Sequence, residues 1–450
     1  MDYSPPKTSR SNDARWFRIG LYVVLVTLPV WMVTFLGAPS EGVLNDVGRN
    51  FALVGFMILV VQFLLAARIK WIERAFGLDI LIRYHKYVAL AAVGFLVIHP
   101  VLLALGHGSW KLLTRLDLPW YIWAGKLALI LLIVNIFSSV YQGKLGLKFE
   151  KWRLGHDFSA IIILIISFLH AWFAGDDLKV LPMQVLWVTI FIGAVVLFIH
   201  HRFLRPARLG RHPYGVEEIR QETGDVWTVK LVPAPGRAIG DYMPGQFHFL
   251  TFFRAPGLPV EEHHWTISSS PAQKNFICST IKAVGDFTTT IGQTKIGDTA
   301  LVHGPFGRYS YVLHPEERDL VFLAGGIGIT PLMAMVRHMR DVGDKRSVTL
   351  LYANKKKEGI VFRRELHQVA AGKNPNLTLV HILSRPDESW AGETGHLDRE
   401  KIEKYCGRTL GEKTFYVCGP VKMAEELVRI LSRMGVSKHQ IRREIFSFLD

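Results

Sequence analysis

Four histidines occupy matched places in two apolar stretches, His85 and His99 in one, His156 and His170 in the other, with fourteen residues between the members of each pair. On an α-helix, fourteen steps fall about 40° short of four full turns and climb roughly 21 Å, so each pair shares one helix face. If the two helices run the same way through a membrane, His85 meets His156 at one depth and His99 meets His170 at the other. Two imidazoles on one iron leave a haem six-coordinate with no open position, suited to passing single electrons. A lone intramembrane histidine is explained as readily by a hydrogen bond to a neighbouring helix, but four at matched depths favour axial ligation of two haem irons.

The elements that must position these residues are apolar runs long enough to cross a bilayer, which takes about 20 residues. They read as Ile19 to Leu36, Phe51 to Ala67, Tyr87 to Leu105, Tyr121 to Val140, Phe158 to Phe173 (extended back to His156) and Val185 to Phe203. Pro100, directly after His99, predicts a kink. Lys7, Arg10, Arg15 and Arg18 precede the first run, Arg68 to Lys86 carry five basic residues between the second and third, Lys144 to Arg153 hold four, and Arg202 to Arg211 another four. The alternate loops are poor in Lys and Arg, so these segments and everything after the sixth run are expected on the cytoplasmic side of the cell membrane. His200 and His201 close the sixth run and read as interfacial. The opening MDYSPPKTSR lacks the apolar core and cleavage site of a secretory leader, and none is expected.

Half of the 450 residues are apolar, a fifth are charged, and the formal net charge is +15. The basic residues cluster beside the apolar runs, where lipid head groups and topology account for them, so a nucleic-acid partner is set aside. Cys278, Cys406 and Cys418 show no metal-ligand spacing and read as reduced thiols. Beyond the membrane runs, short alternating segments such as WTVKLV and FHFLTFF, split by PAPG and MPGQ, predict a small antiparallel β-barrel over Tyr214 to Tyr311. Within it, His263-His264-Trp265-Thr266-Ile267 followed by three serines offers imidazole, aromatic and hydroxyl groups suited to a flavin. Gly285-Asp286-Phe287-Thr288 reads as a turn into a helix that could receive a pyrophosphate, or as an ordinary cap. From Asp319 the pattern becomes strand, glycine turn, helix, with Gly325, Gly326, Gly328, Thr330 and Pro331 in a turn that lets phosphate approach the backbone. Strands SVTLLYA, LTLVHIL and TFYVCG alternate with helical stretches, predicting a parallel Rossmann-like α/β sheet, at whose edge Cys418-Gly419-Pro420 ends a strand.

These motifs together resemble the ferric reductases and NADPH oxidases, a six-helix haem domain fused to a ferredoxin-NADP reductase-like dehydrogenase, over nearly the whole chain. The resemblance implies b-type haems on the histidine pairs and FAD at Pro244 to Phe247, His263 to Thr266 and Gly285 to Thr288, with Gly304 to Gly307 closing that domain. It implies a nicotinamide nucleotide at Gly325 to Pro331 and Cys418 to Pro420, and catalytic positions for Thr266, Cys418 and Phe446, with Glu444 the C-terminal acid. The His263-His264-Trp265 sequence departs from the usual start of the flavin motif, and four residues follow Phe446. Ser384-Arg385 could hold a 2′-phosphate and favour NADPH, or lie on the surface and leave NADH open. There is no Asp-rich EF-hand loop.

The expected architecture is a tail (1–17), a membrane all-α six-helix bundle (18–204), a linker (205–213), an FAD-binding β-barrel (214–316) and an NAD(P)H-binding α/β domain (317–450). The expected function is electron transfer from cytoplasmic NAD(P)H through FAD and two haems to oxygen, giving superoxide, or to a ferric complex outside. No obligatory protein partner is evident. Arg49, His107, Lys111 and Arg115 lie on outer segments as cations for an acceptor or propionate, or as solvated loop charges. The alternatives are a membrane-anchored flavin or quinone reductase, and a haem-binding module or transporter without turnover.

Overall fold

The computed structural model describes residues 9–36, 40–372 and 374–444. Phe446 and Lys7 lie outside the described residues. The chain forms two compact units, one of Ser9–Pro206 and one from Ala207 onward.

The first unit holds helices α1 (Ser9–Leu36), α2 (Val43–Ala66), α3 (Leu78–Gly106), α4 (Trp120–Val140), α5 (Phe149–Ala174) and α6 (Leu181–Ile199). All six are long and apolar enough to cross a membrane. Several begin well before the apolar run, α3 nine residues before Tyr87 and α5 nine before Phe158. The reason is physical: hydropathy registers only the lipid-facing stretch, whereas helical hydrogen bonding continues into the charged flanks. A short helix, Lys70–Phe76, fills the basic loop between α2 and α3. Helix α3 runs through Pro100 without a break. After α6 the chain makes a π turn at His200–Leu204 and a short helix at Arg205–Gly210, within the stretch where the linker was expected from residue 205. Arg205 donates to His201 Nδ1 at 2.9 Å.

Helix α2 is the most enclosed, with Phe56, Met57 and Val61 buried at its centre. It packs along α3, and α4 packs along α5. Gly55 permits the first contact, since a Cβ there would stand 2.7 Å from Leu96 Cγ. Large apolar side chains such as Leu90, Val97 and Ile98 point away from the bundle, as a lipid-facing surface requires.

The second unit begins with β1 (Tyr214–Thr223), β2 (Val226–Val232), β3 (Phe247–Phe253), β4 (Glu262–Thr266), β5 (Ile277–Lys282) and β6 (Thr299–Phe306). They form an antiparallel sheet in the order β4-β3-β6-β1-β2-β5, and an Ile267 to Ser279 bridge joins its two ends. The sheet thus closes into a small barrel around Leu231, Leu250, Phe252 and Ile281.

There follow β7 (Asp319–Gly325), α7 (Ile329–Val342), β8 (Ser347–Asn354), α8 (Arg363–Ala370), β9 (Asn376–Leu383), β10 (Glu393–Thr394), α9 (Arg399–Cys406), β11 (Lys413–Cys418), α10 (Val421–Arg433) and β12 (Ile441–Glu444). The sheet order is β10-β9-β8-β7-β11-β12, parallel throughout. Alternation along the central strand β7 supplies both faces: Leu320, Phe322 and Ala324 pack with residues of α7 and α8, Val321 and Leu323 with residues of α9 and α10. The sheet and barrel are tied by Arg337 of α7, which donates to the Ser268 carbonyl at 2.7 Å and pairs with Glu365 of α8 at 2.6 Å.

Candidate functional site

In the membrane unit the structure brings His85 and His156 together, with ring centroids 6.3 Å apart and planes at 68°. A metal–nitrogen bond of about 2 Å on each side of one iron, plus the half-width of each ring, requires a separation of about 6 Å, so the pair would fit on opposite sides of one iron. Leu59, Leu132, Ile163 and Leu164 line the space around them, an apolar wall suited to a porphyrin edge. His99 and His170 likewise lie within electrostatic reach of each other.

The groups behind the rings decide which nitrogen faces the partner. His99 Nδ1 lies 2.9 Å from the Gly48 carbonyl and His170 Nδ1 2.8 Å from the Tyr121 carbonyl. A carbonyl only accepts, so each Nδ1 carries the proton and each Nε2 keeps its lone pair free for a metal. His156 Nδ1 lies 3.0 Å from Asn135 Oδ1 and 3.3 Å from Ser139 Oγ, with the same result. Gly125 makes room for His170, because a Cβ there would sit 2.6 Å from the ring. None of these supporting residues was legible in the sequence. Their signal is a fourteen-residue spacing on the neighbouring helix, Gly48 to Gln62 and Tyr121 to Asn135, which has meaning only once the helix register is known.

The candidate cations in the loops are largely engaged locally. Arg49 pairs with Asp46 at 2.5 Å and approaches Asp177 at 3.7 Å, and Arg115 pairs with Asp117. His107 donates back to the Leu103 carbonyl. Solvated or locally paired loop charge describes them better than an acceptor site.

In the barrel, strand alternation splits the flavin motif. His263 and Trp265 share a face with Phe287, at ring distances of 4.3 and 5.8 Å, and the Arg254 guanidinium covers Phe287 at 4.8 Å. His264 points the other way, toward Phe247 and Phe249. The motif therefore presents His263 and Trp265 to one face of the strand and His264 to the other. Thr266 is buried at the end of β4, and the next amide, Ile267 N–H, donates to the Gln246 carbonyl. Gly245 is required where it stands: its φ is +95° and a Cβ would lie 2.1 Å from the Tyr309 carbonyl. At Gly285, Thr288 Oγ1 accepts from the Val284 and Gly285 amides at 2.9 and 2.8 Å. Thr288 thus occupies the amides just before a 3₁₀ turn, Thr288–Gln293, and the segment is not an α-helix start.

At the sheet the two glycine motifs meet. A Cβ on Gly328 would lie 2.5 Å from the Cys418 carbonyl, and one on Gly419 3.1 Å from Gly325. The turn before α7 and the end of β11 thus approach closer than any side chain allows. Gly326 has φ +52° and open space where its Cβ would be, so bare backbone faces outward beside a helix start, as a nucleotide phosphate needs. Thr330 turns its hydroxyl back to the Ile327 carbonyl. Cys418 is fully buried, and burial, aided by the nearby Glu444 carboxylate, pushes its thiol well above the ordinary range. It is a neutral thiol, not a nucleophile. Register sets Glu444 directly beside Cys418. Ser384 and Arg385 follow β9 on the same strand-end edge, Arg385 exposed.

Comparison with known proteins agrees with both halves. Residues 51–167 match the ferric reductase like transmembrane component family, and residues 322–429 the oxidoreductase NAD-binding domain family. Cytochrome b5 reductase 4 of Homo sapiens is 29% identical over 216 residues, 47% of this chain and 39% of its own length. The glycine betaine monooxygenase reductase subunit of Pseudomonas aeruginosa strain UCBPP-PA14 is 31% identical over 242 residues, 53% of this chain and 64% of its own. NADH-cytochrome b5 reductase 2 of Rattus norvegicus is 33% identical over 175 residues, 35% of this chain and 63% of its own. The chain spans between 39% and 64% of the length of these relatives. It is a multi-pass membrane protein in which a segment similar to the ferric reductase like transmembrane component is joined to one similar to the oxidoreductase NAD-binding domain.

Proposed function

We propose that this protein is an NAD(P)H-dependent oxidoreductase that carries electrons across the cell membrane, from a cytoplasmic nicotinamide nucleotide to oxygen or a ferric complex on the outer side. The observation that carries the reading is the orientation of the histidines: His99, His156 and His170 each commit Nδ1 to an acceptor behind the ring, so Nε2 is left for iron. When bound, FAD accepts a hydride from the nucleotide and releases its electrons singly, and two haems relay them.

The residues divide the work. Gly325, Gly326 and Gly328, with Cys418, Gly419 and Pro420, admit the nucleotide against bare backbone, and the protonated Cys418 thiol adds no charge to that site. His263, Trp265 and Phe287 offer an aromatic surface for the flavin, Thr266 a buried hydroxyl at its edge, and Phe446 the C-terminal aromatic that would cover it. His85 and His156 hold the station on the membrane side to which α6 returns the chain, and His99 and His170 the one beyond it. Basic flanks on that first side, from Arg68 to Lys86 and from Lys144 to Arg153, support a cytoplasmic orientation.

The test is anaerobic reduction of the purified protein by NADPH or NADH while the haem spectrum is followed, then addition of oxygen or a ferric chelate. Haem reduction by the nucleotide and reoxidation by the acceptor are expected. A protein that oxidises NADPH through flavin while its haems stay ferric is a membrane-anchored reductase instead. Failure of either nucleotide to reduce flavin or haem refutes the proposal.

A further inference from the structure

The two histidine-bearing helices are each paired with the helix before them, and the two pairs share one register. In α2 and α3, Gly48 stands beside His99, and Gln62, fourteen residues on, has its main chain beside His85. In α4 and α5, Tyr121 stands beside His170, and Asn135, again fourteen residues on, beside His156. Antiparallel partners with equal spacing on both strands of each hairpin make α2–α3 and α4–α5 two versions of one unit. The positions then correspond. Gly48 and Tyr121 each offer a main-chain carbonyl to the outer histidines, and Gln62 and Asn135 are the amide residues of the inner ones.

Their states differ. Asn135 is engaged, its Oδ1 3.0 Å from His156 Nδ1. Gln62 is 8% exposed, lines the same cavity as His85 and His156, and leaves both amide atoms without a hydrogen-bond partner. His85 Nδ1 is buried beside the Gln62 main chain at a geometry short of a hydrogen bond. His85 thus has main chain beside its Nδ1, whereas His156 has a side-chain amide there.

We infer that Asn135 is a positioning residue that acts on the inner iron alone, its side-chain oxygen accepting the Nδ1–H of His156, while the outer histidines depend on main-chain carbonyls. The inference rests on the haem reading above. An acceptor on Nδ1–H makes the imidazole a more basic ligand and favours ferric iron. The inner station can therefore be tuned by side-chain substitution, and the outer one cannot.

The test is a spectroelectrochemical titration of full-length, haem-loaded protein and its variants. Asn135→Leu is expected to move one of the two reduction waves upward, favouring the ferrous form about tenfold, or about 59 mV for one electron, and to leave the other in place. Asn135→Asp, which keeps an oxygen in place, does not raise that wave, which separates ligand tuning from general damage to the bundle. Two unmoved waves in Asn135→Leu, or equal movement of both, overturn the inference while the haem reading stands. Wild-type protein without haem overturns both.

Discussion

The membrane unit and the soluble unit position their chemistry by opposite means. In the bundle, the candidate ligands are side chains placed by helical periodicity, and what steadies them is the neighbouring helix: Gly48, Tyr121 and Asn135 each accept a hydrogen bond from one imidazole Nδ1. In the sheet, the decisive atoms are main chain, exposed where Gly325, Gly328 and Gly419 let two segments close on each other. A design based on side chains fails one group at a time. A design based on backbone contact fails as a whole turn.

The largest expected effect follows from that contrast. His99→Leu should remove the outer haem alone, halving haem per flavin and abolishing reduction of the outer acceptor, while NADPH still reduces flavin and the inner haem; a pyridine haemochrome assay and stopped-flow reduction measure this. Retention of both haems would refute the pairing.

Next is the tie between the sheet and the barrel. Arg337→Met leaves Glu365 and the Ser268 carbonyl without their shared donor and should cost about 3 kcal/mol, the scale for breaking a largely buried pair. Denaturant unfolding followed by tryptophan fluorescence reads it. The same pair predicts a pH dependence. Burial raises the Glu365 carboxyl, but the guanidiniums of Arg337 and Arg340 together outweigh it and hold the group below its usual value of 4.5. A depressed folded-state pKa contributes stability above the unfolded value, and that contribution is lost as pH falls through the folded one. Stability should therefore decline on acidification below about pH 4.5, and Glu365→Gln should flatten that part of the profile.

Gly328→Val is the backbone counterpart of the histidine change. Its side chain would collide with the Cys418 carbonyl, costing about 1–3 kcal/mol, and should weaken nucleotide use with haem content unchanged. Equal loss of haem and nucleotide use would erase the distinction between the two designs. The smallest effect is at the edge of the sheet. Arg385→Ala should raise KM for NADPH about tenfold, roughly 1.4 kcal/mol of lost phosphate contact, and leave KM for NADH unchanged; parallel steady-state titrations decide it.

Much of this was legible in the sequence because periodicity and punctuation are local. The six runs, the histidine faces, the glycine turn after β7 and the strand ending at Cys418 are each written within about twenty residues. What escaped depends on register between distant segments. Nothing near Asn135 shows that it meets His156, and nothing near Arg337 points to Glu365 or Ser268. His264 reads as one with His263 until the alternation of β4 turns it away. The Gly285 turn resembles a phosphate site until Thr288 folds back on its amides. Arg49 and Arg115 read as free cations, and only the fold supplies Asp46, Asp177 and Asp117.

The mirrored fourteen-residue spacing also fixes where these helices can change length. One residue inserted between His85 and His99 turns the far histidine by about 100°, and the same holds between Gly48 and Gln62 on the helix alongside. The stretch between the two stations is a fixed gauge within the membrane. Adaptation to thicker or thinner bilayers is left to the helix ends, where α3 already runs past its apolar run from Leu78.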